Sequence, residues 1–495
     1  MQKKKLCLSD DLRSVNWDNV KNNVDSISIF LKKKGVILND KIGIYSFNSI
    51  EYVKIFLAIN RIGACIVPIP YSLNKSQFKL LYESLNFKIL FIQLELFKSL
   101  DFSLKSLTNT IVVSIDFHKN DFYSYNSIIK EKNSFYYNKL NNYNFNIIFS
   151  SGTTGNPKGI IHSHHTRSVQ CEYARKYNYN ENSKTIISTP LFSNTTIISL
   201  LPTLAFGGSI ILMKKFNVNE FLELIMKHEP THAMLVPNQI QRIIDYKGYK
   251  KEALNKLKII RSTSSRLNIE TKMYLYKYFH NKFFESYGLT ETGAISNYEL
   301  KKDIKKIDSV GKIINSCSTK IINKDSIEVG KNEVGEIVCK TKFMMDSYYP
   351  KKINNNNNFW LDIKNNKYFK TGDLGFIDED NYLFLKGRIK DVIISGGFNI
   401  YPDEIEKIIL KNDFIKEVTV LGFDSKIWGE TPVAFVKLVT KNDFCKNKYL
   451  QIINEQLGKT ERISELIILN DLPKNSIGKI DKKTLRETYT SHLKK

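Results

Sequence analysis

Hydrophobic and polar positions near the start of the chain switch between helical and strand spacing. Apolar residues recur at helical spacing over residues 15–31, and Ile42 and Ile44 then alternate within residues 41–45, which predicts a helix followed by a short strand. The same pattern predicts, in chain order, a helix at 51–62, a strand at 64–68, a helix at 76–85 and a strand at 88–92. Such alternation favours a largely parallel sheet covered by helices.

The middle of the chain continues this pattern with short apolar runs. Strands are predicted at 146–149, 185–188, 209–213 and 231–236, with a helix at 218–227 and another that begins at Pro237. Because these strands are apolar on both alternating faces, we expect helices to cover both sides of the sheet. The fold class is therefore α/β, with a large N-terminal domain of helix-covered sheets.

After Ser309 the pattern changes to shorter strands between turn-rich stretches. Examples are residues 336–339 and 382–385, which predict a β-rich subdomain at about 309–387. Beyond Gly387 the sequence predicts a small α+β unit, with a helix at 402–410, strands at 417–423 and 433–439, and a helix near 450–457. We therefore predict an N-terminal domain over 1–387, a boundary at 388–391 and a C-terminal domain over 392–495.

Length and charge narrow the range of function classes. A chain of 495 residues is too long for one hydrophobic core, so two or three domains are expected. The formal charge is 74 − 50 = +24, which could indicate a polyanionic partner. The lysines are spread along the whole chain, however, so we expect solvated lysines on most faces and no nucleic-acid partner. Oligomeric state cannot be derived from this pattern.

Cysteine spacing and the distribution of apolar runs predict a location. The cysteines are scattered without a CxxC pair, and they are predicted to be reduced thiols: Cys7, Cys65, Cys171, Cys317, Cys339 and Cys445. Residues 1–8 lack an apolar stretch long enough for a signal peptide, and no run of about 18 apolar residues suggests a transmembrane segment. We therefore expect a cytoplasmic protein.

The segment after the strand at 146–149 has the composition of a phosphate-binding loop. Residues 150–159 read SSGTTGNPKG, which combines hydroxyls, glycines, exposed backbone N–H groups and one lysine. These groups suit a triphosphate, because N–H groups and a cation can surround its oxygens. The spacing is not that of a Walker A loop. Taken alone, the segment could equally be a Gly/Ser/Thr turn.

Four further motifs follow the loop in a fixed order. They are YGLTET at 287–292, TGD at 371–373, KGR at 386–388 with Lys390-Asp391 after it, and Pro473-Lys474 leading to GKI at 478–480. With the loop, this set resembles the acyl-adenylate-forming superfamily, which includes acyl-CoA synthetases, peptide-synthetase adenylation domains and firefly luciferase. Weaker similarity begins near residues 61–64, so the resemblance extends over nearly the whole chain.

The resemblance implies a large domain that holds ATP and a carboxylic acid, and a small mobile C-terminal domain. It assigns the triphosphate to the loop residues Ser150, Ser151, Gly152, Thr153, Thr154, Gly155 and Lys158. It places the adenine against Tyr287, the α-phosphate near Thr290 and Mg²⁺ on Glu291. An aromatic face suits a purine, and a carboxylate suits a hard cation.

The later motifs resemble those that bind the ribose and carry the two half-reactions. Asp373 would accept hydrogen bonds from the ribose hydroxyls, and Arg388 would donate near the ribose and phosphate. Lys479 would neutralise charge during adenylation. Lys390 matches the hinge, and the Gly396-Gly397 pair would lie against the thiol arm, although on residue type alone this pair could be a simple tight turn.

The acid pocket is less well specified. By position, the resemblance points to Phe192, Asn194, Thr196, Val236, Gln239 and Ser264, whose mixture of polar and apolar side chains fits a short polar acid, a fatty acid or an aryl acid. We favour a fatty or other aliphatic acid. Ser193 stands where many relatives have a histidine, and residues 262–266 replace a Gly-Ala-Pro type turn, so the shape of the pocket is expected to differ.

Three histidines follow the loop, at His162, His164 and His165. They could suggest a metal site, but a loop-to-helix junction does not guarantee the geometry that three ligands need. His164 matches a histidine that is common after the phosphate loop in the family. We therefore expect it to have a positional role.

Three functional readings follow. The favoured one is an acid:CoA ligase that uses ATP, Mg²⁺ and coenzyme A to make an acyl-CoA, AMP and pyrophosphate. A second has the same first half-reaction but delivers the acyl group to an acyl-carrier protein. A third is a non-catalytic polyanion-binding relative, which the joint presence of Lys158, Glu291, Asp373, Arg388 and Lys479 disfavours.

Overall fold

The computed structural model describes residues 5–100, 110–131, 135, 142–150, 158–248, 251–350, 358–425, 427–439, 445–459, 461–475 and 479–493. The chain divides into two compact units. Unit 1 contains residues 1–307, 314–317 and 340–357, and unit 2 contains residues 308–313, 318–339 and 358–495. The predicted boundary at 388–391 stays a prediction.

The strands, in chain order, are β1 (Leu6–Ser9), β2 (Ser14–Asn16), β3 (Lys41–Tyr45), β4 (Cys65–Pro68), β5 (Ile89–Ile92), β6 (Ile111–Ser114), β7 (Tyr123–Ser124), β8 (Asn144–Ser150), β9 (Lys158–Ser163), β10 (Lys184–Ile187), β11 (Ser209–Leu212), β12 (His232–Leu235), β13 (Ile259–Ser262), β14 (Phe283–Leu289), β15 (Gly293–Glu299), β16 (Lys312–Ile313), β17 (Cys317–Ile322), β18 (Gly335–Thr341), β19 (Ser347–Tyr349), β20 (Phe359–Leu361), β21 (Lys367–Ile377), β22 (Leu383–Arg388), β23 (Ile393–Ser395), β24 (Phe398–Ile400), β25 (Ile415–Ser425), β26 (Gly429–Leu438) and β27 (Glu465–Leu469).

The helices are α1 (Trp17–Lys33), α2 (Ile50–Arg61), α3 (Lys75–Leu85), α4 (Leu94–Leu100), α5 (Tyr125–Lys130), α6 (His164–Ala174), α7 (Asn194–Ala205), α8 (Val218–His228), α9 (Pro237–Ile244), α10 (Lys251–Lys256), α11 (Ile269–Phe279), α12 (Leu300–Asp303), α13 (Pro402–Ile409), α14 (Lys446–Glu455) and α15 (Lys482–Leu493). Within the described ranges, none of these helices is long and apolar enough to span a bilayer.

Unit 1 is built on two sheets. One has the strand order β19-β9-β8-β4-β3-β5-β6-β7, and the other includes the order β15-β14-β13-β12-β10-β11-β1-β2. The central pairs of both sheets are parallel, whereas β8 pairs with β9 and β14 with β15 in antiparallel fashion. Parallel strands joined through helices confirm the predicted α/β class.

Helix α2 shows how the sequence pattern becomes part of the core of unit 1. Ser49 caps the helix by accepting a hydrogen bond from the backbone N–H of Tyr52. Ile55, Phe56 and Ile59 are completely buried, and they follow the i, i+1, i+4 spacing of one helix face. Each fully buried apolar side chain of this size contributes about 1.5–3 kcal/mol. The helix is therefore held mainly by its apolar face.

Unit 2 contains two smaller sheets. The first has the order β17-β18-β21-β20, with β22 paired to β21, and the second has the order β24-β23-β26-β25, with β27 parallel to β26. Helices α13 and α14 contribute Ile405, Ile409 and Ile453 to the core of the second sheet. Unit 2 contains most of the segments for which the sequence predicts a β-rich subdomain and a small α+β domain, whereas residues 314–317 and 340–357 belong to unit 1. The predicted domain bounds stay predictions.

Candidate functional site

The strands that flank the phosphate loop form an antiparallel pair in unit 1. Ser150 at the end of β8 is the cross-strand partner of Lys158 at the start of β9. The ammonium of Lys158 lies 5.9 Å from the ring centroid of Tyr348. The predicted loop residues Ser151, Gly152, Thr153, Thr154 and Gly155 lie outside the described residues, and so does the side chain of Ser150.

The YGLTET motif forms a tight hairpin turn between β14 and β15. Tyr287 pairs with Ser296, and a bulge follows at Gly288. A side chain at Gly288 could not fit, because its Cβ would lie 1.9 Å from the carbonyl oxygen of Gly293. Gly293 itself has φ +66°, a conformation that other residues rarely adopt. Thr290 and Glu291 therefore lie at the tip of a sterically defined turn.

Backbone contacts hold the tip of this turn in place. His162 Nε2 lies 2.8 Å from the carbonyl oxygen of Thr290, and the N–H of Met345 donates to the carbonyl of Glu291 at 2.7 Å. The Tyr348 hydroxyl donates to Glu291 Oε1 at 3.1 Å. Burial, and then the negative charge of Glu291, raise the pKa of Tyr348, so it remains a donor.

The same tip has the chemistry of a magnesium ligand. Glu291 is only partly buried, and a carboxylate oxygen is the ligand type that Mg²⁺ prefers. If Mg²⁺ binds here, Glu291 would hold it, and the ion would supply charge neutralisation for the phosphates. Among the residues that the structure describes, no group of three His, Cys, Asp or Glu side chains could hold a metal.

A buried polar cluster behind this turn is not predicted by the sequence motifs. Arg167 of α6 is 2% exposed and His162 of β9 is fully buried. The sequence indicates His162 only as one of three histidines that could bind a metal, and it does not single out Arg167. His162 interrupts a run of buried apolar positions on β9, and this is the signal that could have revealed it. His164 instead stacks on Tyr143, with ring centroids 5.1 Å apart.

The predicted acid-pocket residues lie around the N-terminal end of α7 and at the start of α9. Phe192 packs edge-on against Tyr71 at 5.0 Å, and Asn194 Oδ1 accepts a hydrogen bond from Arg167 Nη1 at 2.9 Å. Ser264 has φ +83°, and its hydroxyl lies 2.6 Å from that of Thr195. This contact brings the unusual 262–266 segment next to α7.

Two of the predicted pocket residues use their polar groups within the fold. Thr196 is fully buried, and its hydroxyl donates to the carbonyl of Pro190 at 2.6 Å. Gln239 accepts from the N–H of Val236 at 3.1 Å and donates to the carbonyl of Ser188 at 3.1 Å. These contacts cap α9 and tie it to the end of β10. Their roles in binding the acid stay predictions.

The unusual Ser193 has a local structural role. It is the N-cap residue of α7, where its hydroxyl accepts a hydrogen bond from the N–H of Thr195 at 3.3 Å. Serine is among the preferred residues for this position. Ser193 therefore serves the start of the helix that carries Asn194 and Thr196.

In unit 2, the structure pairs Asp373 with Arg388, and the charges of both residues act on Lys479. Asp373 and Arg388 are cross-strand partners in the β21–β22 pair, and Arg388 Nε lies 2.9 Å from Asp373 Oδ1. The backbone N–H of Lys479 donates to Asn475 Oδ1 at 3.0 Å. Burial and the positive charge of Arg388 lower the pKa of Lys479, and Asp373 opposes that shift. The three side chains therefore share one electrostatic environment.

The predicted hinge and thiol residues follow directly after β22. Lys390 lies in a single 3₁₀ turn, Ile389–Asp391, and burial is the main cause that lowers its pKa. Gly396 and Gly397 form the two-residue loop of the β23–β24 hairpin, with φ +57° and +82°. Positive φ at both positions is typical of a type I′ turn. The tight turn is thus present, and the thiol role stays a prediction.

Two family models match this chain. Residues 1–349 match the AMP-binding enzyme family, and residues 404–479 match the AMP-binding enzyme C-terminal domain. A 2-succinylbenzoate–CoA ligase of Oceanobacillus iheyensis is 28% identical over 96% of this chain and 95% of its own length. A long-chain-fatty-acid–CoA ligase of Mycobacterium tuberculosis is 27% identical over 71% of this chain and 69% of its own length.

Among solved structures, the chain is similar to ATP-bound MatB from Rhodopseudomonas palustris. The TM-score is 0.88 at 23% sequence identity, with coverage of 98% of this chain and 96% of MatB. At this level of identity the likeness demonstrates the fold and says nothing about the substrate.

Proposed function

Because this chain belongs to the AMP-binding enzyme family, we propose that it is an ATP-dependent acid:CoA ligase that works through an acyl-adenylate. Family membership confirms the resemblance inferred from the five motifs, and with it the prediction that the chain is an enzyme. CoA ligases of this family use ATP, Mg²⁺ and CoA, so these remain the expected ligands. None of the comparisons indicates a nucleic-acid partner.

The observation that carries this proposal is the ion pair between Asp373 and Arg388 in unit 2, with Arg388 Nε 2.9 Å from Asp373 Oδ1. The charges of both residues also act on Lys479. A buried carboxylate beside an arginine fork suits a ribose, because the carboxylate can accept from two hydroxyls. An ammonium that shares their environment can neutralise charge at the α-phosphorus, where displacement depends mainly on positioning and electrostatics.

Two balanced steps follow from these roles. In the first, a carboxylate oxygen attacks the α-phosphorus of ATP, a new P–O bond forms, and pyrophosphate leaves. In the second, the thiolate of CoA attacks the acyl carbon, and AMP leaves with the electrons of the broken C–O bond. Lys158, Thr290 and Glu291 would serve the first step, whereas Gly396 and Gly397 would serve the second.

The relatives act on different classes of acid. One relative is named for an aromatic acid and another for a long-chain fatty acid. Our proposal keeps the aliphatic acid predicted from the pocket positions. The edge-on pair of Phe192 and Tyr71 supports an apolar wall, which an aliphatic chain or an aryl ring could both contact.

The test is acid-dependent ATP:pyrophosphate exchange without CoA, over a panel of short, long-chain, branched and aromatic acids. Exchange with a fatty or other aliphatic acid would support the full proposal, and exchange with aromatic acids alone would correct the substrate class. No exchange by folded protein that binds Mg·ATP would contradict the proposed adenylation.

The thiol acceptor needs a separate measurement. An acyl-carrier protein presents the same pantetheine arm as CoA, so the β23–β24 hairpin would serve both acceptors. Acyl transfer from the matched acid should therefore be compared with CoA and with a carrier protein as acceptors. If the acyl group were transferred only to the carrier protein, the enzyme would be an acid:carrier-protein ligase and not an acid:CoA ligase.

A further inference from the structure

The carbonyl oxygen of Thr290 is held by a buried histidine on another strand. Thr290 lies at the tip of the β14–β15 turn, and His162 Nε2 lies 2.8 Å from its oxygen. A carbonyl can only accept a hydrogen bond, so Nε2 of His162 must carry the proton. The orientation of the peptide between Thr290 and Glu291 therefore depends on one histidine N–H.

The other nitrogen of the same ring determines its charge and tautomer. Arg167 Nη2 lies 3.2 Å from His162 Nδ1, and a guanidinium can only donate, so Nδ1 must be an acceptor. Nδ1 therefore carries no proton, and the ring is neutral in its Nε2–H form. Complete burial and the positive charge of Arg167 lower the pKa of His162 well below its ordinary value, in agreement with this geometry.

Arg167 is itself held by neutral acceptors. Its Nε donates to Asn146 Oδ1 at 2.9 Å, and its Nη1 donates to Gln170 Oε1 at 2.8 Å and to Asn194 Oδ1 at 2.9 Å. A buried charge is costly unless hydrogen bonds compensate it. The arrangement fixes the guanidinium with four donated hydrogen bonds, including the one to His162.

The cluster also joins two nucleotide motifs. Asn146 and His162 are cross-strand partners in the β8–β9 pair, which leads into and out of the phosphate-loop segment. Thr290 belongs to the YGLTET turn. One hydrogen-bonded network therefore connects the base of the phosphate-loop strands with the turn that carries Thr290 and Glu291.

We propose that His162 and Arg167 are positioning residues for adenylation: the neutral His162 ring holds the Thr290 carbonyl, and Arg167 holds that ring in the tautomer that can do so. The inference rests on the proposed function, because Thr290 and Glu291 are expected to act on the α-phosphate and Mg²⁺. Site groups held by a fixed second layer of hydrogen bonds lose less entropy when substrate binds.

The test compares His162→Leu with His162→Gln, because a glutamine amide can place an N–H near the position of Nε2. His162→Leu should lower kcat/KM for ATP in pyrophosphate exchange by roughly 10- to 100-fold, as expected when a buried acceptor loses its donor. His162→Gln should recover most of this loss. Mg·ATP binding measured by calorimetry should be weaker in His162→Leu than in His162→Gln.

His232 provides a matched control. It is also buried, and its Nε2 lies 2.8 Å from the carbonyl of Tyr177 while its Nδ1 lies 2.7 Å from the Thr231 hydroxyl. His232→Leu removes the same type of hydrogen bond from the same unit, at a position whose contacts among the described residues include no predicted nucleotide residue. It should reduce thermal stability and leave kcat/KM for ATP within about threefold of wild type.

A second measurement reports on the tautomer directly. In protein labelled with ¹⁵N-histidine, His162 Nδ1 should show the shift of an unprotonated nitrogen, assigned by its loss in His162→Gln. Arg167→Met removes the donor that faces Nδ1 and leaves only the Thr290 carbonyl to favour the Nε2–H form, so the Nδ1–H tautomer should gain population and kcat/KM for ATP should fall. This variant keeps the inference testable even if His162→Leu does not fold.

The outcomes separate the two proposals. If wild type exchanges pyrophosphate and His162→Leu matches His232→Leu in kcat/KM, the positioning role is wrong. An unchanged tautomer in Arg167→Met would likewise overturn the role of Arg167. If wild type shows no exchange, the proposed function fails, and the positioning role is then judged by calorimetry. The positioning role would also be wrong if wild type did not bind Mg·ATP, or if His162→Leu bound Mg·ATP as tightly as wild type.

Discussion

Arg388 Nε lies 2.9 Å from Asp373 Oδ1, and the two residues face each other across the β21–β22 pair. The Asp373 side chain is 9% exposed, whereas that of Arg388 is 46% exposed. The strand register therefore holds the carboxylate in place and leaves the guanidinium partly accessible. A carboxylate held in this way fits the proposed contact with the ribose hydroxyls.

Asp373→Asn should weaken ATP binding, because the amide keeps the size of the side chain but removes the charge. A hydrogen bond to a charged group is worth about 1.5–3 kcal/mol, so KM for ATP should rise roughly 10- to 100-fold. Pyrophosphate exchange at varied ATP concentrations measures this. Asp378→Asn is the control, because Asp378 accepts from the N–H groups of Asp380 and Tyr382 in the turn after β21. An equal effect in both variants would contradict the ribose role.

Lys479→Ala should abolish adenylation and spare the second half-reaction. The ammonium is expected to act while charge develops at the α-phosphorus, and thioester formation from a supplied acyl-adenylate does not need it. The two rates are measured separately, with Lys437→Ala as a control that removes a lysine paired with Asp471. Equal loss of both half-reactions would refute this division.

The lowered pKa of Lys479 also predicts a pH dependence. Burial and Arg388 favour the neutral amine, so the charged form is lost as pH rises through a pKa below that of an ordinary lysine, about 10.4. Adenylation should therefore decline on the alkaline side before free lysine would titrate. Lys479→Arg should shift this decline in adenylation to higher pH, because arginine keeps its charge. If the decline does not shift, another group causes it.

Gly288→Ala should disrupt the YGLTET turn. Its Cβ would lie 1.9 Å from the Gly293 carbonyl oxygen, which is backbone and cannot move aside. We expect a loss of stability of about 2 kcal/mol or more and a large fall in kcat for adenylation. Gly330→Ala is the control, because its Cβ would meet only the flexible end of Glu333. Normal activity of Gly288→Ala would mean that the turn can rearrange.

Lys272→Met should destabilise unit 1 through a buried charge. Lys272 Nζ lies 2.7 Å from Glu285 Oε2, and the two side chains are 0% and 2% exposed. Removing one partner of such a pair costs about 3–5 kcal/mol, since the other charge stays buried. Urea unfolding measures the loss.

Two variants serve as comparisons for Lys272→Met. Adding Glu285→Gln should restore part of the stability, because the amide can still accept from the N–H of Leu267. Lys214→Met removes the partner of an exposed pair with Glu95 and should cost less than about 1 kcal/mol. A double variant no more stable than Lys272→Met alone would contradict the buried-charge explanation.

Gly397→Val should slow thioester formation and leave adenylation unchanged. Gly397 has φ +82°, and a Cβ at this position would have no atom within 4 Å, so the cost arises from backbone strain in the hairpin loop. Gly397→Asn should be milder, because asparagine tolerates positive φ. Gly35→Val, at φ +70° in equally open space, controls for strain outside the hairpin. A slower adenylation step in Gly397→Val would contradict the assignment.

The sequence alone determined the α/β class and most of the individual elements. Strand β3 has the predicted bounds, and α8 ends one residue beyond its prediction. These features depend on local periodicity, which side-chain burial on one face of a helix or strand imposes directly on the residue order. The motifs were also visible because each keeps its chemical groups within a few consecutive residues.

Only the tertiary structure decided which side chains meet. His162 and Thr290 are 128 residues apart, and their contact depends on how β9 and the β14–β15 turn pack within unit 1. Asp373 and Arg388 meet because β21 and β22 pair in one register, and Gln239 bonds to Ser188 because α9 follows a strand beside β10. A sequence specifies the donor and acceptor groups, whereas long-range strand pairing and burial select their partners.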